Sequence, residues 1–163
     1  MTTPARWQPA DDAEGLPFAR ALTRRTMTPY YTRYELLWRD EDYDAGWSWR
    51  ENYLLMGPDG PLGYISLTQD PRALYIREFH LIDTARRQGQ GTAALKEAFE
   101  LAARRGLSAV RLTVFKANPA QRLYERQGFA VVGEDGCFWR MERNVETTVS
   151  GDRIGTRTAW RAG

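Results

Sequence analysis

Residues 85–95, ARRQGQGTAAL, place two arginines and two glycines where a predicted strand gives way to a predicted helix. The first turn of a helix presents backbone N–H groups without intrahelical partners and carries a partial positive charge, so it can hold an anion. Gly89 and Gly91 remove side chains that would keep an anion away, and Arg86 and Arg87 add positive charge. This pattern favours a phosphate or diphosphate ligand, although a tight turn with two exposed arginines would have the same sequence.

Two known kinds of phosphate-binding loop do not fit this segment. It lacks the Gly-Lys-Ser/Thr ending of an ATP-binding P-loop, and it lacks the third glycine of a dinucleotide-binding loop. The ligand class therefore depends on the rest of the chain.

A second candidate segment, NPAQRLYERQGF, predicts a short helix. Asn118 can cap it, Pro119 suits its first position and Gly128 can end it. Tyr124 lies on this helix beside Leu123, and on such a helix a tyrosine usually packs into the core.

The third candidate segment is the predicted strand ALYIREFHLI, residues 73–82. Neither of its alternating faces is purely polar or purely apolar, which indicates a strand that is buried on both sides or lines a cleft. Glu78 and His80 share one face if the alternation is unbroken, and a bulge would change the faces. A histidine with a pKa near 6.5 is a suitable base, but a lone strand histidine can also be structural.

The elements that must position these residues form a mixed α/β (α+β) pattern around one sheet. In chain order we predict a helix capped by Asp11 or Asp12, a helix from Pro29 to Trp38, a loop or short turn over 39–50 and a hairpin turning at Gly57–Gly60. The strand 73–82, a helix from Ala93 to Arg105, a strand over 109–115, the short helix, and a hairpin split by Glu134–Gly136 follow.

Length and composition predict one globular domain. The chain has 163 residues, 42% of them hydrophobic, and no apolar run long enough to cross a membrane. We assign the domain to residues 1–143 and a tail to 144–163, which is mobile or packs on a neighbouring subunit through Ile154 and Trp160. Because no signal peptide is apparent, we expect a cytoplasmic protein.

Charge and cysteine content restrict the partners further. Twenty-three basic residues against 21 acidic ones are too balanced for a protein that grips nucleic acid by its phosphates. Cys137 is the only cysteine, so no internal disulfide can form, and without a nearby histidine it indicates no metal site.

The run from Arg86 to Gly91 resembles the Arg/Gln-x-x-Gly-x-Gly/Ala motif of the GNAT (Gcn5-related) N-acetyltransferases. Residues 118–129 resemble the second signature of that family, an Asn-led helix that carries Leu-Tyr and ends in Gly-Phe. A closing hairpin follows, as in many members, and the resemblance covers residues 53–143. It implies the GNAT-type acyl-CoA N-acyltransferase fold, a mixed central sheet with splayed parallel strands flanked by helices.

The resemblance implies acetyl-CoA as the cofactor. Its diphosphate would rest on backbone N–H groups of residues 87–92, and its pantetheine arm would pair with the backbone near residues 79–82. Asn118 would contact the arm, and an N–H near Leu81 would hold the oxyanion of a tetrahedral intermediate. The implied cofactor-binding residues are Phe79, Leu81, Ile82, Arg86, Arg87, Gln88, Gly89, Gln90, Gly91, Thr92, Asn118 and Tyr124.

The resemblance also implies direct attack of a primary amine on the thioester. Tyr124 stands where the family often keeps a tyrosine that protonates the departing thiolate. Glu78, His80 or ordered water would take the proton of the amine. Two departures from the family pattern stand out: Ala120 follows Asn118 one residue sooner than in many members, and Asp83-Thr84 replaces a frequent Pro-Glu pair.

We expect a small-molecule or peptide amine as the acceptor, in a site rich in aromatic residues. The candidates are Tyr30, Tyr31, Tyr34, Trp38, Trp47 and Trp49, with Asp40, Glu41, Asp42 and Asp44 nearby, although these rings could equally form a core. Two other functions stay open, namely a non-catalytic acyl-CoA-binding or sensing domain and an interaction module whose glycine turn binds nothing. A homodimer is also left open.

Overall fold

The computed structural model describes residues 3–146, which form one seven-stranded sheet flanked by helices. The strands are β1 (Arg6–Pro9), β2 (Glu51–Gly57), β3 (Gly60–Gln69), β4 (Ala73–Leu81), β5 (Ala109–Phe115), β6 (Ala130–Asp135) and β7 (Phe138–Asn144). The helices are α1 (Gly15–Arg33), α2 (Asp40–Trp47), α3 (Gln90–Arg104) and α4 (Ala120–Arg126), and Asp83–Ala85 form one 3₁₀ turn.

The strand order is β1-β2-β3-β4-β5-β7-β6. The pair β4–β5 is parallel, and the other neighbouring pairs of the described residues are antiparallel. The predicted hairpins, the predicted central strand and the mixed α/β fold are therefore confirmed.

The sheet opens between its two parallel strands. Only four residue pairs join them, from Ala73–Ile76 of β4 to Ala109–Leu112 of β5. Beyond these pairs β4 still pairs with β3, and β5 still pairs with β7, but the two strands no longer pair with each other. The predicted splay is confirmed, and it leaves a gap that side chains from both strands line.

Two apolar cores lie on opposite faces of this sheet. Adjacent residues of β3 show the division, since Ile65 belongs to the main core and Tyr64 belongs to the second core. The main core includes α3 side chains such as Leu95, whereas Leu22 of α1 and Trp47 of α2 lie in the second. The helices α1 and α2 thus cover one face of the sheet, and α3 packs on the other.

The prediction of two helices meeting at Pro29 is wrong, because α1 continues through Pro29 to Arg33. Proline inside a helix removes one backbone N–H donor and is normally destabilising. Here the residues that follow it make compensating contacts. The ring centroids of Tyr30 and Tyr31 lie 5.4 and 6.0 Å from that of Phe115.

The prediction of a loop or short turn over residues 39–50 is also wrong, since this segment contains α2. Three acidic residues, Asp40, Glu41 and Asp42, occupy its first turn, where the helix dipole favours negative charge. Tyr43 and Trp47 stand four residues apart and are both buried in the second core. Tertiary packing therefore stabilises this short helix, although it contains Gly46.

At the two ends of the domain the structure has one strand that was not predicted and one strand that is longer than predicted. The sequence predicted no strand for residues 6–9, yet β1 pairs with β2 at the edge of the sheet. At the other end Asn144 completes β7, and buried Val145 donates its N–H to the carbonyl of Ser108. The predictions for Ile154 and Trp160 lie outside the described residues.

None of the helices in residues 3–146 is long and apolar enough to span a bilayer. The same residues contain no group of three or more His, Cys, Asp or Glu side chains that could hold a metal ion.

Candidate active site

A cleft of about 490 Å³ lies where β4 and β5 separate. Parts of α1, α3 and α4 complete its walls, so residues distant in the sequence meet there. Of the predicted site residues, those that line the cleft are Glu78, Phe79, His80, Leu81, Arg86, Gly91, Asn118 and Tyr124. The structure thus brings together residues from all three candidate segments.

The glycine turn leads directly into α3. The helix begins at Gln90, three residues before the predicted start at Ala93, because Gly89 adopts a left-handed conformation with φ of 80° and acts as its N-cap. No side chain of residues 3–146 caps this helix end. The first helical bond runs from the N–H of Ala93 to the carbonyl of Gly89, so the N–H groups of residues 90–92 precede the helical ladder.

Gly91 lies between this turn and the cleft. A Cβ atom added there would stand 3.2 Å from a methyl group of Leu123 and 3.9 Å from the ring of Phe79. By contrast, a Cβ at Gly89 would meet nothing within 4 Å, and the positive φ explains the glycine there. Gly91 therefore allows the first turn of α3 to pack closely against Leu123 at the wall of the cleft.

The other side chains of the motif mostly shape the turn. Arg86 donates from Nε to the carbonyl of Leu81 at 3.2 Å, and Gln88 donates to the carbonyl of Thr84 at 3.0 Å. Gln90 is buried, and its side-chain oxygen accepts from the N–H of Ala5 at 2.9 Å. Within residues 3–146, Arg87 forms no ion pair, and its φ of 61° is unusual for a residue other than glycine.

The edge of β4 toward the cleft is only partly free for a new partner. Arg77 to Leu81 have no pairing with β5. Ile82, however, lies beyond the strand end, and its N–H donates to the carbonyl of Leu62 at 2.8 Å. The backbone N–H of Ile82 is therefore already hydrogen-bonded, whereas the preceding residues of β4 have no partner strand on the side of the cleft.

Glu78 and His80 lie on the same face of β4 and interact directly. Nε2 of His80 lies 2.8 Å from Oε1 of Glu78. A bulge does exist in β4, because Ser66 pairs with Glu78 while Leu67 pairs with Ile76. It precedes Glu78, so the alternation between the two residues is unbroken.

The surroundings of this pair include one residue that sequence reasoning missed. His80 is only 8% exposed, and its ring centroid lies 5.7 Å from that of Tyr64. Nη1 of Arg50 lies 3.7 Å from Oε2 of Glu78. Only the three-dimensional approach of the α2–β2 connection to β4 reveals Arg50, because the sequence pattern singled out its aromatic neighbours Trp47 and Trp49 and not the arginine.

Tyr124 is held in the wall of the cleft with only 8% of its surface exposed. Its ring packs edge-on against Phe129, with centroids 5.8 Å apart. Burial and, secondly, the negative charge of Glu78 raise the pKa of its phenol well above the usual value. The hydroxyl group therefore keeps its proton at neutral pH.

Asn118 stands two residues before α4, which begins at Ala120 and not at the predicted Pro119, yet its side chain still contacts the helix start. Its side-chain oxygen accepts from the N–H of Ala120 at 2.9 Å, which satisfies one unpaired donor at the start of α4. The residue also lines the cleft, so its amide NH₂ group remains the part that could serve a ligand.

Only two members of the predicted aromatic cluster, Tyr30 and Tyr31, line the cleft. The Tyr34 hydroxyl accepts from the N–H of Ala117, Trp47 is buried in the second core, and Trp49 is 61% exposed. The four acidic residues predicted nearby are also absent from the cleft wall: Asp40, Glu41, Asp42 and Asp44. Ion pairs with Arg24 and Arg20 engage the first and last of these acids.

A mixed sheet that opens between two parallel strands, beside a glycine turn at a helix start, defines the acyltransferase class that the sequence motifs indicated. Residues 20–129 match the profile of the Acetyltransferase (GNAT) family, which spans more than half of the chain. The chain belongs to this family. No curated protein matches the sequence.

Solved structures show the same fold. The PaiA N-acetyltransferase of Thermoplasma acidophilum, crystallised with coenzyme A, superposes with a TM-score of 0.68 at 17% identity, covering 87% of this chain and 99% of its own. The ribosomal-protein-S18-alanine N-acetyltransferase of Escherichia coli gives 0.68 at 16% identity, with 93% and 99% covered. A GNAT acetyltransferase of Elizabethkingia anophelis with bound acetyl-CoA gives 0.67 at 16% identity, with 86% and 97% covered.

Proposed function

We propose that this protein transfers an acetyl group from acetyl-CoA to a primary amine by direct attack of the amine on the thioester. The observation that carries the proposal is the uncapped first turn of α3, which opens beside the cleft between β4 and β5. Membership of the GNAT family supports the same activity.

The residues present fit acetyl-CoA. The uncapped N–H groups at residues 90–92 suit a diphosphate, and Gly91, which lines the cleft, carries no side chain that could cover them. The edge of β4 that has lost its partner strand offers backbone groups to an extended arm. Acetyl-CoA supplies an activated acetyl group. Two structural neighbours were crystallised with coenzyme A or acetyl-CoA, which also supports this choice.

Three side chains at the cleft would handle protons. We propose that Glu78 and His80 accept the proton of the attacking amine, because they line the cleft and share a hydrogen bond. Tyr124 would donate a proton to the leaving thiolate, since its phenol stays protonated. The hydrogen bond between Glu78 and His80 means that either residue could serve as the base with the other orienting it.

The activity is tested by thiol release with acetyl-CoA and a broad panel of amines. We expect release that depends on the amine and an acetylated amine detected by mass spectrometry. Tight binding of acetyl-CoA without acetylation of any amine would favour the non-catalytic binding or sensing domain instead. Absence of acetyl-CoA binding would contradict both readings.

Glu78→Gln and His80→Gln are expected to identify the base. A base must be deprotonated, so kcat/KM of the wild type falls as the pH drops below the pKa of that base. The variant that removes the base should lower kcat/KM by about 100-fold and abolish this acidic limb. The other variant should keep the limb, with its midpoint shifted.

Glu97→Gln is the matched control, because Glu97 pairs with Arg104 on α3 and does not line the cleft. Its pH profile should equal that of the wild type. If both cleft variants also kept the wild-type rate and limb, a side-chain base would be refuted and water would carry the proton.

A further inference from the structure

A second groove, of about 520 Å³, lies beside Glu78 along the end of α2 and the strands β2 to β4. The residues that matter for its chemistry are Ser48, Trp49, Arg50, Thr68, Gln69 and Arg77. Arg77 lines both this groove and the cleft. The groove therefore adjoins the cleft on the side where Glu78 and His80 lie.

The positive charges of this groove are poorly neutralised. Glu51 also lines the groove, but Arg105 already holds both of its carboxylate oxygens at 2.8 Å. Glu78 is 3.7 Å from Arg50, and its closer partner is His80 at 2.8 Å. Arg77 forms no ion pair within residues 3–146, and its Nε donates to the hydroxyl of Thr68 at 2.8 Å.

The guanidinium of Arg50 is held in place with a donor left unused. Its Nε is buried and has no hydrogen-bond partner among the described residues. The group packs against Gly46, where an added Cβ would stand 3.0 Å from Nη2, and its Cζ lies 5.4 Å from the ring centroid of Trp49. Buried donors normally have partners, and none of residues 3–146 supplies one to this Nε.

The two arginines also repel each other. Partial burial and, secondly, the charge of Arg50 lower the pKa of Arg77. Glu78 pairs with Arg50, and the charge of Asp70 partly offsets the repulsion at Arg77, so an added oxyanion between the two guanidinium groups would relieve the rest. Planar guanidinium groups suit carboxylates because they can donate two parallel hydrogen bonds.

We propose that the acceptor carries a free carboxylate, which Arg50 and Arg77 bind while the amine lies beside Glu78 and His80. The acceptor class is then an amino acid or another small amine with a carboxylate, rather than a simple alkylamine. This inference rests on the proposed acetyltransferase activity. It also replaces the acidic, cation-attracting acceptor site that the sequence suggested, since the four acids of that prediction do not line the cleft.

The test compares each amino acid with its carboxamide, which keeps the amine but lacks the negative charge of the carboxylate. For the wild type we expect kcat/KM to be at least about tenfold higher for the free acid of the preferred acceptor, as for a charge-assisted hydrogen bond. Arg77→Gln should lower this ratio about tenfold, chiefly through KM. Arg50→Gln should lower the ratio and also kcat, because Arg50 contacts Glu78.

Arg25→Gln is the matched control, since Arg25 is exposed on α1 and lies outside both grooves. Arg25→Gln loses the same charge as Arg77→Gln but should leave the acid-to-amide ratio of kcat/KM unchanged. If this ratio fell equally in both variants, the inference would be overturned. A wild-type ratio near one for every acetylated pair would also overturn the inference and leave the proposed activity intact.

If no amine were acetylated, the proposed function would fail separately. Calorimetric titration of the same acid and amide pairs into the coenzyme A complex would then decide the inference. Tighter binding of the acids that is lost in Arg77→Gln supports a carboxylate site, and equal affinities refute it.

Discussion

Replacing Tyr124 by phenylalanine is expected to lower kcat by about 100-fold or more while coenzyme A binding stays close to that of the wild type. The ring that packs against Phe129 is retained, so the wall of the cleft keeps its shape. Only the hydroxyl group that would protonate the leaving thiolate is lost. Steady-state thiol release and calorimetric coenzyme A binding measure the two effects.

The pH dependence of the wild type provides a second check on Tyr124. Burial and the charge of Glu78 raise the pKa of its phenol, so the acid form persists as the pH rises. The rate should therefore show no alkaline loss from this group below about pH 10, the usual pKa of tyrosine.

Tyr53→Phe is a suitable control for the loss of a tyrosine hydroxyl, because Tyr53 bonds to Glu51 and does not line the cleft. It should keep the wild-type kcat. If Tyr124→Phe also kept the wild-type kcat, Tyr124 would be a packing residue, as its sequence context alone suggested.

Gly91→Glu is expected to weaken coenzyme A binding by at least about 100-fold, the largest effect on affinity that we predict. The new side chain would press against Leu123 at the wall of the cleft, and its charge beside the uncapped turn would repel a diphosphate. Calorimetric titration with coenzyme A measures the loss.

Gly91→Ala separates the size of the side chain from its charge. A Cβ there would stand 3.2 Å from a flexible methyl group of Leu123, which can move by a few tenths of an ångström. We therefore expect a loss below about tenfold, with unchanged folding. Equal affinities for the wild type and Gly91→Glu would show that the diphosphate binds elsewhere.

Much of the fold could be predicted because turn residues mark its element ends. The turn at Gly57–Gly60 and the capping residue Asn118 located a hairpin and a helix. The start of α3 was predicted three residues late, because the left-handed Gly89 allows the helix to begin inside the glycine motif itself. Local chemistry was sufficient wherever it agreed with the tertiary packing.

The N-terminal region was predicted less well because packing overrides local signals there. Pro29 normally marks a helix start, but the stacking of Tyr30 on Phe115 supports a helix that runs past it. In α2 the acidic first turn was visible in the sequence, yet only burial of Tyr43 and Trp47 makes so short a helix stable.

The candidate site shows the same limit. Motifs and strand alternation located Tyr124, the glycine turn and the pair Glu78–His80, because those residues lie within or beside recognisable segments. Arg50 could not be found in this way. Its approach to Glu78 depends on how the end of α2 enters β2 and on the bulge in β4 that precedes Glu78.

The four residue pairs between β4 and β5 also have a mechanical consequence. They divide the sheet into two unequal parts, β1–β4 and β5–β7, which these four pairs join. This short parallel pairing ends at the cleft, so a molecule that binds both parts of the sheet there would hold them together. The force needed to pull the two parts of the sheet apart should therefore increase when the ligand is bound and decrease when it leaves.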